Sequence, residues 1–270
     1  MSNQGDHPVY PNPSATHVVL EVQFPSTATD PATAEAGLRA GLRDQFPLGE
    51  RLAQSMVTID LGNAASAVEQ ITMLRYQSRD RTRTVAVTPN AVTIETTEYL
   101  GFDWYCEFLR QPLDVLAEVL QPDGIVGMGH RFIDEIRVPG GAPADWSEWI
   151  DPLLLAPSRV PAAAGLDAPA SWRGSVEYRT SDETTLTLRY GPSDGPVVLG
   201  TPASRTPVPQ GPCFLLDWDS RLRPSTAPEF TAEGAIEQCV RLYKPVRAIY
   251  HHLTIDKLRS VFAADPEGTP

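Results

Sequence analysis

A chain of 270 residues, 41% hydrophobic and 21% charged, is long enough to bury a substantial core without disulfide staples. Its net charge of −12 disfavours a duplex nucleic-acid binder, which needs a Lys/Arg surface to release counterions, and disfavours docking on an anionic membrane. Three widely spaced cysteines (Cys106, Cys213, Cys239) form no CxxC pair, and no apolar run approaches the ~20 residues that span a bilayer, so a cytoplasmic protein without a membrane segment is expected.

Residues 1–15 are polar, carry three prolines and read as a flexible arm without the basic and apolar regions of a signal peptide. Val18, Leu20, Val22 and Phe24 then alternate with polar side chains and predict a half-buried strand over 16–24. Asp30-Pro31 is a helix start, and Leu38, Leu42 and Phe46 give that helix its buried stripe before Pro47 and Gly49 end it. Four strand-like pieces follow at 56–61, 71–78, 83–88 and 92–98, the last two joined by Pro89-Asn90. Asp103 is placed to cap a helix striped by Tyr105, Leu109, Leu113, Leu116 and Leu120, which Pro112 should kink or split. Residues 127–138 alternate again, with Met128, Phe132, Ile136 and Val138 opposite Arg131, Glu135 and Arg137.

A proline-rich connection over 141–170 holds a short helix around Trp146 to Leu154. The second part, 171–270, predicts strands at 172–180 and 184–190 joined by Ser181-Asp182-Glu183. A proline-rich loop over 192–212 and a strand over 213–220 burying Phe214, Leu216 and Trp218 come next. A helix over 232–253, striped by Ile236, Val240, Tyr243 and Tyr250 and kinked at Pro245, leads to a last short helix capped by Thr254. The expected fold class is α+β, with antiparallel sheets covered by long helices and two related β-then-α halves at 16–140 and 171–270. Strands and helices do not alternate regularly, which argues against a doubly wound parallel sheet.

These pieces resemble a sporadically distributed family of uncharacterised bacterial proteins. The resemblance rests on the strand HVVLEVQF, on Tyr99, Trp104 and Phe108 in a Tyr-x(4)-Tyr/Trp-x-x-Phe pattern, and on an Arg-Tyr-Ile-Asn-Arg-Ile-like strand beginning at Arg131. It continues in the Asp-x-Asp strand at Asp217 and Asp219 and in the terminal HHLTIDKLRSVF box. Asp134-Glu135 stand where that family carries Asn-Arg. The resemblance implies an architecture and a bacterial source, and brings no activity with it.

Among candidate chemistries, Asp217 and Asp219 project from one strand face at ~7 Å spacing, where a third ligand would make a Mg²⁺ or Mn²⁺ site. The competing expectation is a solvated strand face. His251 and His252 point about a hundred degrees apart on a helix and suit its C-terminal dipole better than a shared metal. His130 and Asp134 share a strand face ~13 Å apart while Glu135 points the other way, so the three do not form one site unaided. The glycines of 124–129 precede a strand rather than a helix, which excludes a phosphate loop. Tyr99, Phe102, Trp104, Tyr105 and Phe108 form a dense aromatic cluster that reads as core unless part of it is exposed.

The function expected from these residues is a non-catalytic binding or accessory protein of the bacterial cytoplasm, without cofactor. Its partner would be another protein or a peptide, with self-association also compatible, and Trp104, Trp146 and Trp149 are the candidate anchors. The alternative is a metal-dependent hydrolase or nuclease using Asp217 and Asp219.

Overall fold

The computed structural model describes residues 10–25, 27, 29–60, 65–140, 146–156, 165, 172–195, 197, 203 and 210–264, with side chains other than those of 54–60 and 65–69. Strands β1 (Ala15–Gln23), β2 (Leu48–Asp60), β3 (Ala65–Gln77), β4 (Arg83–Thr88) and β5 (Ala91–Thr96) come first, with helix α1 (Pro31–Leu42) between β1 and β2. Helix α2 (Phe102–Leu120) and β6 (Gly127–Ile136) follow, then β7 (Gly174–Arg179), β8 (Thr184–Asp194) and β9 (Pro212–Leu222), and finally α3 (Ala232–Leu253) and α4 (Asp256–Ala263). The fold is therefore mixed α+β, and all nine strands join one antiparallel sheet in the order β2-β3-β4-β5-β1-β6-β9-β8-β7.

The period-2 pattern places the core. Val18, Leu20 and Val22 of β1 are fully buried and lie in one apolar cluster with Leu38 and Leu42 of α1, Leu109 and Leu113 of α2, and Trp218 of β9. Helix α1 packs on α2 and β3, α2 on α3, and α3 on β9, β6 and β8. Residues of the opposite period, including Arg131 on β6 and Asp217 on β9, point away from that cluster.

Local chemistry explains the element boundaries, including those the sequence misplaced. Asp30 caps α1 by accepting from the Thr33 backbone N–H, with Pro31 in the first turn, as expected. The helix ends at Leu42, and Phe46 is buried from the following turn instead of from the helix. Pro47 and Gly49 do not lead into a loop: β2 begins at Leu48, and Gly49 lies inside it. Of β3, Leu74–Gln77 pair with β4, so among the described residues the far part of the β2–β3 hairpin is paired only with itself.

Gly101, not Asp103, is the N-cap of α2, and Asp103 sits in its first turn, where a carboxylate suits the helix dipole. Neither Pro112 nor Pro245 splits its helix. Each removes one backbone hydrogen bond, and the buried residues on both sides, Leu109 and Leu113 around Pro112, hold the helix together. The short helix expected at Trp146 to Leu154 is two 3-10 turns, Trp146–Glu148 and Pro152–Leu155, the second capped by Asp151. Thr254 closes α3 by donating its hydroxyl to the Tyr250 carbonyl at 2.8 Å, and Ile255 is the N-cap of α4. The arm expected over 1–15 is anchored where it is described. Tyr10 packs edge-on against Phe262 at 5.7 Å, and the Asn12 N–H donates to the Phe262 carbonyl at 3.1 Å.

Candidate functional site

Helix α2 carries two stripes. The first, Tyr105, Leu109, Leu113, Leu116 and Leu120, is buried against the sheet. The second consists of Trp104, Phe108, Gln111 and Val115, spaced by four, three and four residues, as one side of a helix requires. This second stripe lines an open groove of about 480 Å³, completed by Arg83 at the start of β4 and by Gln45 after α1. Trp104 is half-buried and stacks on Phe108 with ring centres 5.6 Å apart and planes 6° from parallel.

Close helix contact shapes the groove wall. A Cβ at Gly41 would lie 2.6 Å from Val115 Cγ1, so glycine lets α1 approach α2 here. That approach brings the Gly41 carbonyl within 2.7 Å of Gln111 Nε2, which donates to it. The bond fixes the amide orientation and turns Gln111 Oε1 away, buried and without a hydrogen-bond partner. Arg83 Nε is likewise buried and unpartnered, and the Arg83 guanidinium makes no ion pair among the described residues. Asp80 feels its charge from beyond ion-pair reach.

The groove lining carries three acids, Glu107, Asp114 and Glu118, beside Arg110 and Arg83. Glu107 is paired with Arg110 at 3.4 Å, whereas Asp114 and Glu118 have no ion-pair partner among the described residues.

The other two tryptophan anchors are also half-buried, but their own chain occupies them. Trp146 leans on Phe214 with ring centres 5.4 Å apart, and Lys257 Nζ lies 4.1 Å above the Trp149 ring. No ring contact joins either to Trp104 among the described residues.

The second candidate set lies on the sheet face away from the helices. Asp217 and Asp219 are 6% and 9% exposed, which corrects the expectation of a solvated face. The cross-strand register puts Asp217 between Ile133 and Arg189, and Asp219 between Arg131 and Thr187. Arg131 grips Asp217 in a fork, Nε to Oδ1 at 2.7 Å and Nη2 to Oδ2 at 2.9 Å. Arg221 Nη2 holds Asp219 Oδ2 at 3.0 Å, and Arg189 stands between the two carboxylates at 3.6 and 3.8 Å. Guanidinium groups thus occupy the positions a divalent cation would take. No third His, Cys, Asp or Glu joins the pair among the described residues.

The histidines and the remaining acids do not converge. His130 is fully buried, stacked on Tyr105 at 5.7 Å, with the Cys239 sulfur 3.7 Å from Nε2. Burial pushes its pKa down to about 3, so it is neutral near pH 7. Asp134, four residues along β6, accepts from the Ser14 hydroxyl at 2.6 Å and from Trp218 Nε1 at 3.0 Å. Loss of hydration there outweighs both bonds and pushes its pKa up to about 6. Glu135 points to the other face, accepting from Arg137 at 2.9 Å and from the Val197 N–H at 3.0 Å. His251 and His252 lie in the last turn of α3. Burial raises the Cys106 and Cys213 thiols to about 11, which leaves them weak nucleophiles.

The sequence reading passed over Arg83, Gln45 and Gln111, as well as a buried pair in which His17 Nε2 and Glu95 Oε2 are 2.8 Å apart. The outward stripe of α2 was the available signal for the groove, and the aromatic crowding around it hid that signal. No protein-family model matches the chain, and no curated protein is significantly similar to it. Among the described residues no helix is long and apolar enough to cross a membrane.

Proposed function

We propose that this chain is a non-catalytic binding protein of the bacterial cytoplasm that recognises another protein or a peptide through the α2 groove. One observation carries the reading: Trp104, half-buried and stacked on Phe108, forms the wall of an open groove beside an unpaired guanidinium and two unpaired carboxylates. An accessible aromatic ring flanked by unspent polar groups is the usual make-up of a binding hot spot. Trp146 and Trp149 enter the proposal as secondary anchors because both keep part of their surface accessible.

The same proposal includes an architecture of two related halves with helices over one sheet face. Its support is the strand order, which would place β6 at the head of the second half and not at the end of the first, where the expected bounds of 16–140 and 171–270 put it. β1 and β6 are central neighbours, and each is followed by an excursion to a sheet edge and a meander back, β2 to β5 and β7 to β9. A long helix follows each meander, α2 and then α3. Membership of the sporadic bacterial family belongs to this proposal too.

Affinity capture with the wild-type chain and with Trp104→Ala, followed by direct titration of any partner that depends on Trp104, tests the function. A partner should bind the wild type at least tenfold more tightly than the variant, as loss of a tryptophan hot spot implies (about 1.4 kcal/mol or more). Partners indifferent to Trp104→Ala would remove the groove from the recognition surface.

A further inference from the structure

Strand β7 is an edge of the sheet, and its residues are arranged to be met by a copy of themselves. Among the described residues it pairs with β8 alone, and Ser175, Glu177, Tyr178 and Arg179 are exposed. Protein edges are commonly blunted by proline, lysine or a bulge. β7 holds no proline or lysine, and its register with β8 runs unbroken from Gly174 to Arg179. The Thr180 N–H closes the β7–β8 turn by donating to the Thr184 carbonyl at 3.0 Å. Main-chain groups alternate in direction along a strand, so Val176 and Tyr178, in step with Thr180, spend theirs on β8. Ser175, Glu177 and Arg179 point theirs outward. The Arg223 N–H donates to the Glu183 carbonyl at 2.9 Å, which gives β8 the same phase from its other side. The side chains follow suit. Glu177 and Arg179 lie on the sheet face away from the helices, without an ion-pair partner among the described residues. Tyr178 lies on the other face, across from buried Leu186, yet is 38% exposed at the end of the apolar layer.

We propose, independently of the α2 groove, that a second copy of this chain adds its β7 antiparallel to this one, joining the two sheets across a two-fold axis at Tyr178. Main-chain bonding alone leaves several registers open, since any symmetric register that sets outward-pointing residues against each other forms hydrogen bonds. Charge chooses among them. An axis at Glu177 sets that carboxylate against its own copy, and an axis at Arg179 does the same with guanidinium groups. The axis at Tyr178 sets Glu177 opposite Arg179 on both sides, and each such pair exchanges both N–H···O=C bonds. The same axis brings the two Tyr178 rings together on the opposite face, continuing the apolar layer of Leu186 and Leu188. A strand from another protein fits as well only where it carries an acid, an aromatic ring and a base in this order, which the second copy always does.

The test is sedimentation of the full-length chain across a range of concentrations, with amide hydrogen exchange read by NMR on the nitrogen-labelled protein. The wild type should dimerise reversibly, and the Glu177 and Arg179 amides should exchange more slowly as concentration rises. Glu177→Arg and Arg179→Glu each set like charges in opposition and should weaken the dimer on the order of tenfold, an effect that fades in high salt. An equimolar mixture of the two variants should form a mixed dimer, and Glu177→Arg combined with Arg179→Glu in one chain should restore self-association. That restoration separates lost pairing from lost folding. A wild type that stays monomeric overturns the proposal, and so does one whose β7 amides are protected only when another protein adds a strand there. A dimer indifferent to both single variants, with exchange at Glu177 and Arg179 unchanged, forms through another surface and equally overturns it. A dimer that protects those amides but is not restored by the combined exchange overturns the axis at Tyr178.

Discussion

Ser14 and Asp134, 120 residues apart, are joined by a hydrogen bond of 2.6 Å from the serine hydroxyl to Oδ1. The bond ties the residue just before β1 to the C-terminal part of β6, and two more contacts complete the cluster. Trp218 Nε1 donates to Oδ2 at 3.0 Å, and the Ser14 and Tyr250 hydroxyls are 2.7 Å apart. Polar groups from β6, β9, α3 and the N-terminal segment therefore meet at one buried carboxyl. It is costly to keep that carboxyl ionised, because among the described residues no positive charge lies close enough to outweigh lost hydration.

Asp134→Asn should therefore stabilise the protein at pH 7.5 relative to wild type. The amide oxygen can accept from Trp218, its NH₂ can donate to Ser14, and Ser14 can then donate to Tyr250. The raised folded pKa of about 6, against about 3.8 unfolded, means that the native state takes up the proton first. The favourable contribution is full below the unfolded value and is lost as pH rises through about 6. A shift of roughly two units bounds the effect at about 3 kcal/mol. Urea unfolding at pH 7.5, 5.5 and 4.0 should show the advantage of Asp134→Asn shrinking toward zero on acidification. A constant offset at all three values would mean that Asp134 does not titrate in this window.

His130 acts with the opposite sign. Its folded pKa of about 3 lies below the unfolded value of about 6.5, so the unfolded chain takes up the proton first. Its contribution is present above about pH 6.5 and is lost as pH falls toward 3. His130→Leu should lose less stability between pH 6.5 and 4 than wild type does, whatever fixed packing change it brings beside Tyr105 and Cys239. In the wild type the two residues partly cancel between pH 4 and 6. The double variant with Asp134→Asn should have the shallowest profile, which calorimetry across that range can measure.

Periodicity made much of this fold readable in advance. β4 coincides with the expected strand, α3 with the expected helix, and the inward stripe of α2 is buried as read, because strong periods reflect burial directly. A strand was expected only from Met56, with Pro47 and Gly49 ending the preceding helix. In the structure the turn falls at 43–45, before Pro47, and pairing with β3 carries Gly49 into the strand. The same-face spacing of Asp217 and Asp219 was correct, yet their environment was not legible. Arg131 and Arg189 arrive from β6 and β8 through a register that depends on the whole sheet. The groove was least visible, since Arg83, Gln45 and Gln111 lie far apart in sequence and line one groove only in the folded chain.

The Asp217 and Asp219 network makes a prediction about metals. Arg131 is half-exposed, so its pair with Asp217 is screened, and Asp217→Asn should cost only about 1 kcal/mol. With guanidinium groups already seated between the carboxylates, Mg²⁺ or Mn²⁺ at millimolar concentration should leave the melting temperature unchanged in both wild type and Asp219→Ala. A cation-dependent rise confined to the wild type would favour the hydrolase alternative.

The contact between α1 and α2 gives the last prediction. Adding a methyl group at Gly41 places carbon 2.6 Å from Val115 Cγ1, a stiff side chain that cannot swing aside freely. Helix propensity favours alanine over glycine by up to about 1 kcal/mol, while overpacking costs about 1–3 kcal/mol. The clash should win, so Gly41→Ala destabilises the wild type despite its better propensity. Removing the obstacle reverses the balance: in a Val115→Ala background the same substitution should be neutral or stabilising. A double-mutant cycle read by urea unfolding measures this coupling, and additive effects would rule out direct contact. Gly41→Leu should also push the Gly41 carbonyl away from Gln111, so its side-chain amide resonances should move even where the protein stays folded.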